Sequence, residues 1–116
     1  MKKFANAAGF LALAFLLTYA TIASAGEYDG TWTLLDSDGK PFTAILNPDG
    51  SASGTHGDAM KYGHWAVENG AAVIHWKTGW TTRIAKEQGK YMKSAFKPGA
   101  DTSGSPTSHS KAEKVQ

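Results

Sequence analysis

Residues 26–97 predict an all-β fold, an antiparallel up-and-down meander of about seven strands that closes into a small barrel. Short runs rich in Thr, Val, Ile and aromatic residues alternate there with turn signals at nearly regular spacing. No stretch of this region has a helical period free of glycine and proline, which disfavours a helical or mixed fold. The turn signals are Asp38-Gly39, Pro48-Asp49-Gly50, Asn69-Gly70, Thr78-Gly79 and Gln88-Gly89.

The first 25 residues are typical of a removable export signal. Lys2 and Lys3 precede an apolar run over residues 7–17, and Ala23-Ser24-Ala25 fits the small-x-small cleavage pattern. The run is shorter than the ~20 apolar residues that a membrane-spanning helix needs. We therefore expect cleavage after Ala25, a periplasmic or secreted protein, and no membrane anchor after processing.

Charge and cysteine content narrow the classes of function. The chain has 12 Lys and Arg against 10 Asp and Glu, and removal of Lys2 and Lys3 leaves 10 of each sign. A neutral domain of this size is not a polybasic nucleic-acid binder, so we expect no nucleic acid among its partners. Because there is no cysteine, disulfides cannot stabilise the domain, and its four tryptophans are the natural core formers.

Turn chemistry predicts the register of the hairpins, because loop length decides which residues face each other. Asn69-Gly70 favours a type I′ turn, and a three-residue loop over 77–79 keeps Arg83 off the apolar face. The predicted pairs are Leu34 with Phe42, Trp32 with Ala44, Leu46 with Ala52, Trp65 with Ile74, His64 with His75, Trp76 with Trp80, Ile74 with Thr82 and Ala72 with Ile84.

The last predicted hairpin follows the same test. A three-residue loop over 87–89 places Met92 opposite Ile84 and Phe96 opposite Trp80, whereas a register one residue away would bury Lys93. Seven strands then share one apolar face, and with no helix to cover it the sheet is expected to close on itself. An open curled sheet or a small sandwich is the alternative.

The start of the first strand carries a resemblance. Gly30-Thr31-Trp32 is a G-x-W motif that resembles the beginning of lipocalin-like and other calycin-type barrels, in which the tryptophan plugs one end. With a second G-x-W at 63–65, the chain also looks like small exported bacterial β-barrel domains of unassigned function. The resemblance implies a barrel and an exported location, and it carries no activity.

Composition shifts after residue 97. Residues 98–116 are rich in Gly, Pro and Ser and contain few apolar side chains, which predicts an extended or mobile tail. The alternative is that this segment lies along the sheet as an eighth, edge-covering strand.

The outer face of the sheet carries one metal-ligating pattern. His64 and His75 face each other across the Asn69-Gly70 hairpin, close enough for both imidazoles to bind Zn, Cu or Ni. Their neighbours supply no third donor, so a metal here is the minor interpretation and solvent-exposed histidines the major one. Protonation of both histidines in mild acid would place like charges opposite each other, so mild acid should loosen this hairpin. Arg83 and Lys93 are predicted to face each other on the same outer surface, as part of a basic patch.

Catalytic motifs are lacking, so we expect no enzyme and no cofactor. The leading hypothesis is an exported binding domain for a small apolar molecule or for another extracytoplasmic protein. The candidate ligand-binding residues are Trp32, Trp65, Trp76 and Trp80, although packing of the core is the competing role for these side chains. Alternatives are an accessory subunit of a larger periplasmic complex, or metal handling through His64 and His75.

Overall fold

The computed structural model describes residues 26–115, and the predicted signal peptide lies outside the described residues. Eight strands follow one another along the chain. In this part of the chain, no helix is long and apolar enough to cross a membrane. The strands are β1 (Gly30–Leu35), β2 (Pro41–Leu46), β3 (Ser51–His56), β4 (Ala59–Glu68), β5 (Ala71–Trp76), β6 (Thr81–Glu87), β7 (Lys90–Phe96) and β8 (Ser108–Lys114).

The strands form a closed antiparallel barrel in which each strand pairs with its neighbours in sequence and β8 pairs with β1. The predicted all-β meander and its closure are therefore confirmed, and the alternatives of an open sheet and a sandwich are wrong. The core fills the interior around Trp32, Leu34, Ile74, Trp76 and Ile84, which are at most 3% exposed.

The predicted register is confirmed for the β1–β2, β2–β3, β4–β5 and β5–β6 hairpins. His64 pairs with His75 and Trp65 with Ile74, as the type I′ turn at Asn69-Gly70 requires. Asn69 and Gly70 have φ values of 52° and 81°, which is the left-handed region that this turn needs at both central residues. The pairs of the first, second and fifth hairpins also match the prediction.

The predicted register of the β6–β7 hairpin is wrong by one residue. Gln88 and Gly89 form a two-residue turn with φ values of 53° and 84°, so Glu87 pairs with Lys90 and Ile84 with Lys93. Because alternate residues of a strand face opposite sides, this shift exchanges the two faces of β7. Tyr91, Lys93 and Ala95 point into the barrel, and Met92 and Phe96 lie on its outer side.

The segment predicted as a tail contains the strand that closes the barrel, so the barrel extends to Lys114. β8 pairs with β7 on one side and with β1 on the other. The alternative, an eighth strand along the sheet, is the one observed. The composition favoured a tail because β8 is polar, and only Ala112 on its inner face is apolar. A closing strand can be this polar because the long side chains of its neighbours fill the interior.

Candidate binding site at the open end of the barrel

The two ends of the barrel are built differently. At the end where the chain enters β1, Tyr28 is 1% exposed and Trp32 is 0% exposed, and their rings stack. Tyr91 meets both rings edge-on, with centroids 5.9 Å and 5.1 Å away. The Tyr28 hydroxyl donates a 2.8 Å hydrogen bond to the Gly70 carbonyl, and the Trp32 indole donates one of 2.8 Å to the Tyr28 carbonyl. We call this aromatic cluster the closed end.

The opposite end, which we call the open end, holds a cavity of about 340 Å³. It lies where the β1–β2, β3–β4 and β5–β6 turns meet. Phe42, Trp80 and Ala95 contribute apolar surface, while Lys61 and Lys93 contribute ammonium groups. A cavity of this size is at the lower end of the range for small-molecule sites, ~300–1,000 Å³.

Lys93 is the most unusual residue of the open end, because it is 1% exposed. Its Nζ donates hydrogen bonds of 2.5 Å to the Leu35 carbonyl and 3.1 Å to the Ser108 hydroxyl. Both acceptors are neutral. Ser108 lies on β8, which pairs with β7, and Leu35 lies on β1. Burial lowers the pKa of Lys93, the nearby charge of Lys61 lowers it further, and Asp36 opposes the shift. A buried ammonium with neutral partners costs free energy, which is typical of functional positions.

Lys61 reaches over the aromatic floor of the same end. Its Nζ lies 4.3 Å from the centroid of the Phe42 ring and 4.5 Å from that of Trp76, which are favourable cation–π distances. Burial lowers the pKa of Lys61 and Asp36 opposes this shift. Gly54 leaves room for the lysine stem, since a Cβ there would lie 3.0 Å from Lys61 Cε.

Two aspartates, Asp36 and Asp38, line the open end, and the Asp36 carboxylate is already engaged. Asp36 Oδ1 accepts the backbone N–H groups of Asp38 and Lys40 at 2.8 Å each, and Oδ2 lies 2.7 Å from His56 Nε2. The Lys40 N–H is the largest cause of a lowered pKa at Asp36, and Asp38 N–H and His56 lower it further. Among residues 26–115, no carboxylate oxygen, of Asp36, Asp38 or any other residue, lies within 4.0 Å of the ammonium nitrogen of Lys61 or Lys93.

The four predicted ligand-binding tryptophans do not form one group. Trp80 lines the open cavity, and Trp76 lies beside it under Lys61, with its indole donating a 2.9 Å hydrogen bond to Thr82 Oγ1. Trp32 belongs to the closed end. Trp65 is half-buried and donates to the Asn47 carbonyl at 2.8 Å, in the turn after β2. The tryptophans are thus divided between the two ends.

His64 and His75 are brought together as predicted. Their ring centroids are 5.4 Å apart on the exposed face of β4 and β5. His75 Nε2 also lies 3.8 Å from Glu68 Oε2, so a carboxylate that was not among the predicted neighbours reaches this histidine. Within the described residues, no group of three or more His, Cys, Asp or Glu side chains is placed to hold a metal ion.

The predicted pairing of Arg83 with Lys93 on the outer surface is wrong. Arg83 pairs with Ser94, and Lys93 lies inside the barrel for the reason given by the two-residue turn. The observed register was rejected in the sequence analysis because it buries Lys93. The residue that favours this register is Tyr91, whose large ring suits the core better than the flexible Met92 side chain.

The fold and the site define a class, a small closed eight-stranded up-and-down barrel with one plugged end and one open, charged end. This architecture is compatible with a calycin-like barrel. Comparison of the chain with family models, curated proteins and solved structures gives no match.

Proposed function

We propose that this protein is an exported binding protein that takes up a small molecule with an apolar body at the open end of its barrel, as lipocalin-like proteins do. The single observation that carries the proposal is the contrast between the ends. Buried aromatic side chains pack against one another at the closed end, whereas the open end has a cavity of about 340 Å³ that the partly buried Trp80 lines.

The location and chemistry of the cavity support a binding role. Apolar side chains with a few placed polar groups are the usual lining of small-molecule sites. Turn residues such as Asp38 and Thr78 line its rim, and strand residues such as Phe42, Thr82 and Ala95 line its walls. The strands belong to a closed barrel, which gives these side chains a rigid support.

Fluorescent naphthalene probes test the proposal directly. We expect saturable binding of anilinonaphthalenesulfonate, of its neutral analogue N-phenyl-naphthylamine, or of both. Trp80→Ala should weaken that binding by about 10-fold, because it removes aromatic contact area from the cavity. Trp65→Ala is the matched control and should change the affinity by less than about 2-fold, a difference under about 0.5 kcal/mol.

Two outcomes would refute the proposal. One is the absence of saturable binding of either probe to the folded protein. The other is binding that Trp65→Ala weakens and Trp80→Ala leaves unchanged, because it would place the probe outside the open end.

Metal handling through His64 and His75 is the second candidate, favoured by their 5.4 Å ring separation and by the nearby Glu68 carboxylate. Isothermal titration with Zn²⁺ and Cu²⁺ tests it. A saturable heat that disappears in His75→Ala supports the site, and a heat that His75→Ala leaves unchanged rejects it.

A further inference from the structure

The cavity at the open end is lined by two lysines, Lys61 and Lys93, and by two aspartates, Asp36 and Asp38. Among the described residues, no carboxylate oxygen lies within 4.0 Å of either lysine ammonium nitrogen. The Asp36 carboxylate has both of its oxygens occupied by His56 and by two backbone N–H groups. The cavity therefore contains two cations and no carboxylate in direct contact with either.

Hydrogen-bonding capacity is also left over at these ammonium groups. An ammonium has three N–H donors, and Lys93 uses two of them on Leu35 and Ser108. Lys61 forms no hydrogen bond to the described residues, and its Nζ instead lies over Phe42 and Trp76. An oxygen atom of a bound acid would complete both groups with charge-assisted hydrogen bonds, which are the strong kind.

The apolar part of the cavity wall indicates the chemistry of the rest of the ligand. Phe42, Trp80 and Ala95 present apolar surface next to the ammonium groups. A purely apolar ligand would take water away from the partly exposed Lys61 ammonium group without replacing its hydrogen bonds, and a cationic ligand would add charge repulsion. A ligand with an acidic group on a flat apolar body would contact both the lysine ammonium groups and the apolar side chains.

We propose that the open end selects small organic anions, with the acidic group held by the ammonium groups of Lys61 and Lys93 and a flat apolar body against Trp80 and Phe42. This inference rests on the proposed binding function and names its ligand class. Discrimination in favour of the anion comes from charges that are fixed before the ligand arrives, because the buried Lys93 is already held in place by its two neutral acceptors.

Anilinonaphthalenesulfonate and N-phenyl-naphthylamine form a matched pair, since they share the ring system and differ in the sulfonate. We expect the anionic probe to bind at least about 10-fold more tightly, the effect of one hydrogen bond between charged groups. Lys93→Met should remove most of this preference and leave the affinity for the neutral probe within about 2-fold. Lys111→Met is the control, because the Lys111 side chain is 69% exposed on β8.

Lys61→Met provides a second variant in case Lys93→Met fails to fold, as judged by circular dichroism and thermal unfolding. It should also reduce the preference for the sulfonate by about 10-fold. Equal binding of the two probes to the wild type overturns the anion inference while the binding site itself stands. A preference that survives in both lysine variants overturns it as well. Failure of both probes to bind refutes the proposed function and the inference together.

Discussion

The closed end and the open end use the same strands for opposite purposes. At the closed end, Tyr28, Trp32 and Tyr91 pack ring against ring, and each polar tip has a partner within the chain. At the open end, Lys93 is buried against two neutral acceptors, and the partly exposed Lys61 lies over two aromatic faces. Packing of the aromatic rings stabilises the closed end, whereas burial of a lysine without a carboxylate partner costs free energy at the open end. A stability cost at one place in a well-packed domain is typical of functional sites.

Removal of residues 98–116 should have the largest effect, because it deletes β8, which contributes to both ends. β1 and β7 would lose their pairing partner, and an open sheet of this size would expose its core to water. We expect loss of cooperative thermal unfolding by circular dichroism. Addition of a peptide of residues 98–116 in trans should restore it. An unchanged melting temperature would show that these residues are dispensable.

Trp32→Ala at the closed end should destabilise the protein by about 3–5 kcal/mol, since it empties the centre of the aromatic cluster. Trp80→Ala at the open end should cost less than about 2 kcal/mol, because Trp80 is only partly buried and borders an existing cavity. Urea unfolding of both variants measures the difference. Equal losses would remove the distinction between the two ends.

Gly63→Ala tests the close approach of β4 and β5 in the middle of the barrel wall. A Cβ at Gly63 would collide with the His75 carbonyl and lie 2.9 Å from Trp76 Cα, so the β4 and β5 backbones would have to separate. We expect a loss of about 1–3 kcal/mol in unfolding free energy. Gly104→Ala is the control, since a Cβ there would meet only the Asp101 carbonyl at 3.4 Å. A neutral Gly63→Ala would contradict the tight approach of these strands.

Buried Lys93 should make stability depend on pH. Its pKa is lowered in the folded state by burial, so between this lowered pKa and the ordinary value of 10.5 the folded protein binds fewer protons than the unfolded chain. Unfolding free energy should therefore rise with pH in that interval, by at most about 1.4 kcal/mol per pH unit for one proton. Below the lowered pKa the penalty for the buried charge is fully present.

Urea unfolding at several pH values between neutrality and pH 9 measures this slope, because an unfolded tyrosine, with an ordinary pKa of about 10, is less than about one tenth ionised at pH 9. Lys93→Met should flatten the curve, and the remaining slope should belong to Lys61, whose pKa is also lowered by burial. Lys111→Met should retain the full slope. An identical slope in Lys93→Met would show that Lys93 is not a buried cation.

The smallest effect is expected on the outer face of β4 and β5. His64 is exposed there, and its ring centroid lies 5.4 Å from that of His75. His64→Ala should change the unfolding free energy by less than about 0.5 kcal/mol, the usual size for a surface substitution. Urea unfolding at neutral pH measures the change, and a loss as large as that expected for Gly63→Ala would contradict a surface role for His64.

Local signals in the chain determined most of the barrel. The Asn69-Gly70 turn predicts its own register because asparagine and glycine both tolerate positive φ, and the period-two pattern of β4 and β5 agrees with it. Trp80, one of the four candidate tryptophans, does line the open cavity. These features depend on residues close together in the sequence.

Tertiary structure decided the position of Lys93 and the role of residues 108–114. Gln88-Gly89 has the same backbone conformation as Asn69-Gly70, but glutamine gives no comparable preference for it, so exclusion of the lysine from the core favoured the wrong register. The acceptors that make burial of Lys93 tolerable are Leu35 and Ser108, which lie far from it in the chain. The polar β8 is likewise stabilised by the backbone edges of β1 and β7, and a strand's own side chains do not reveal such partners.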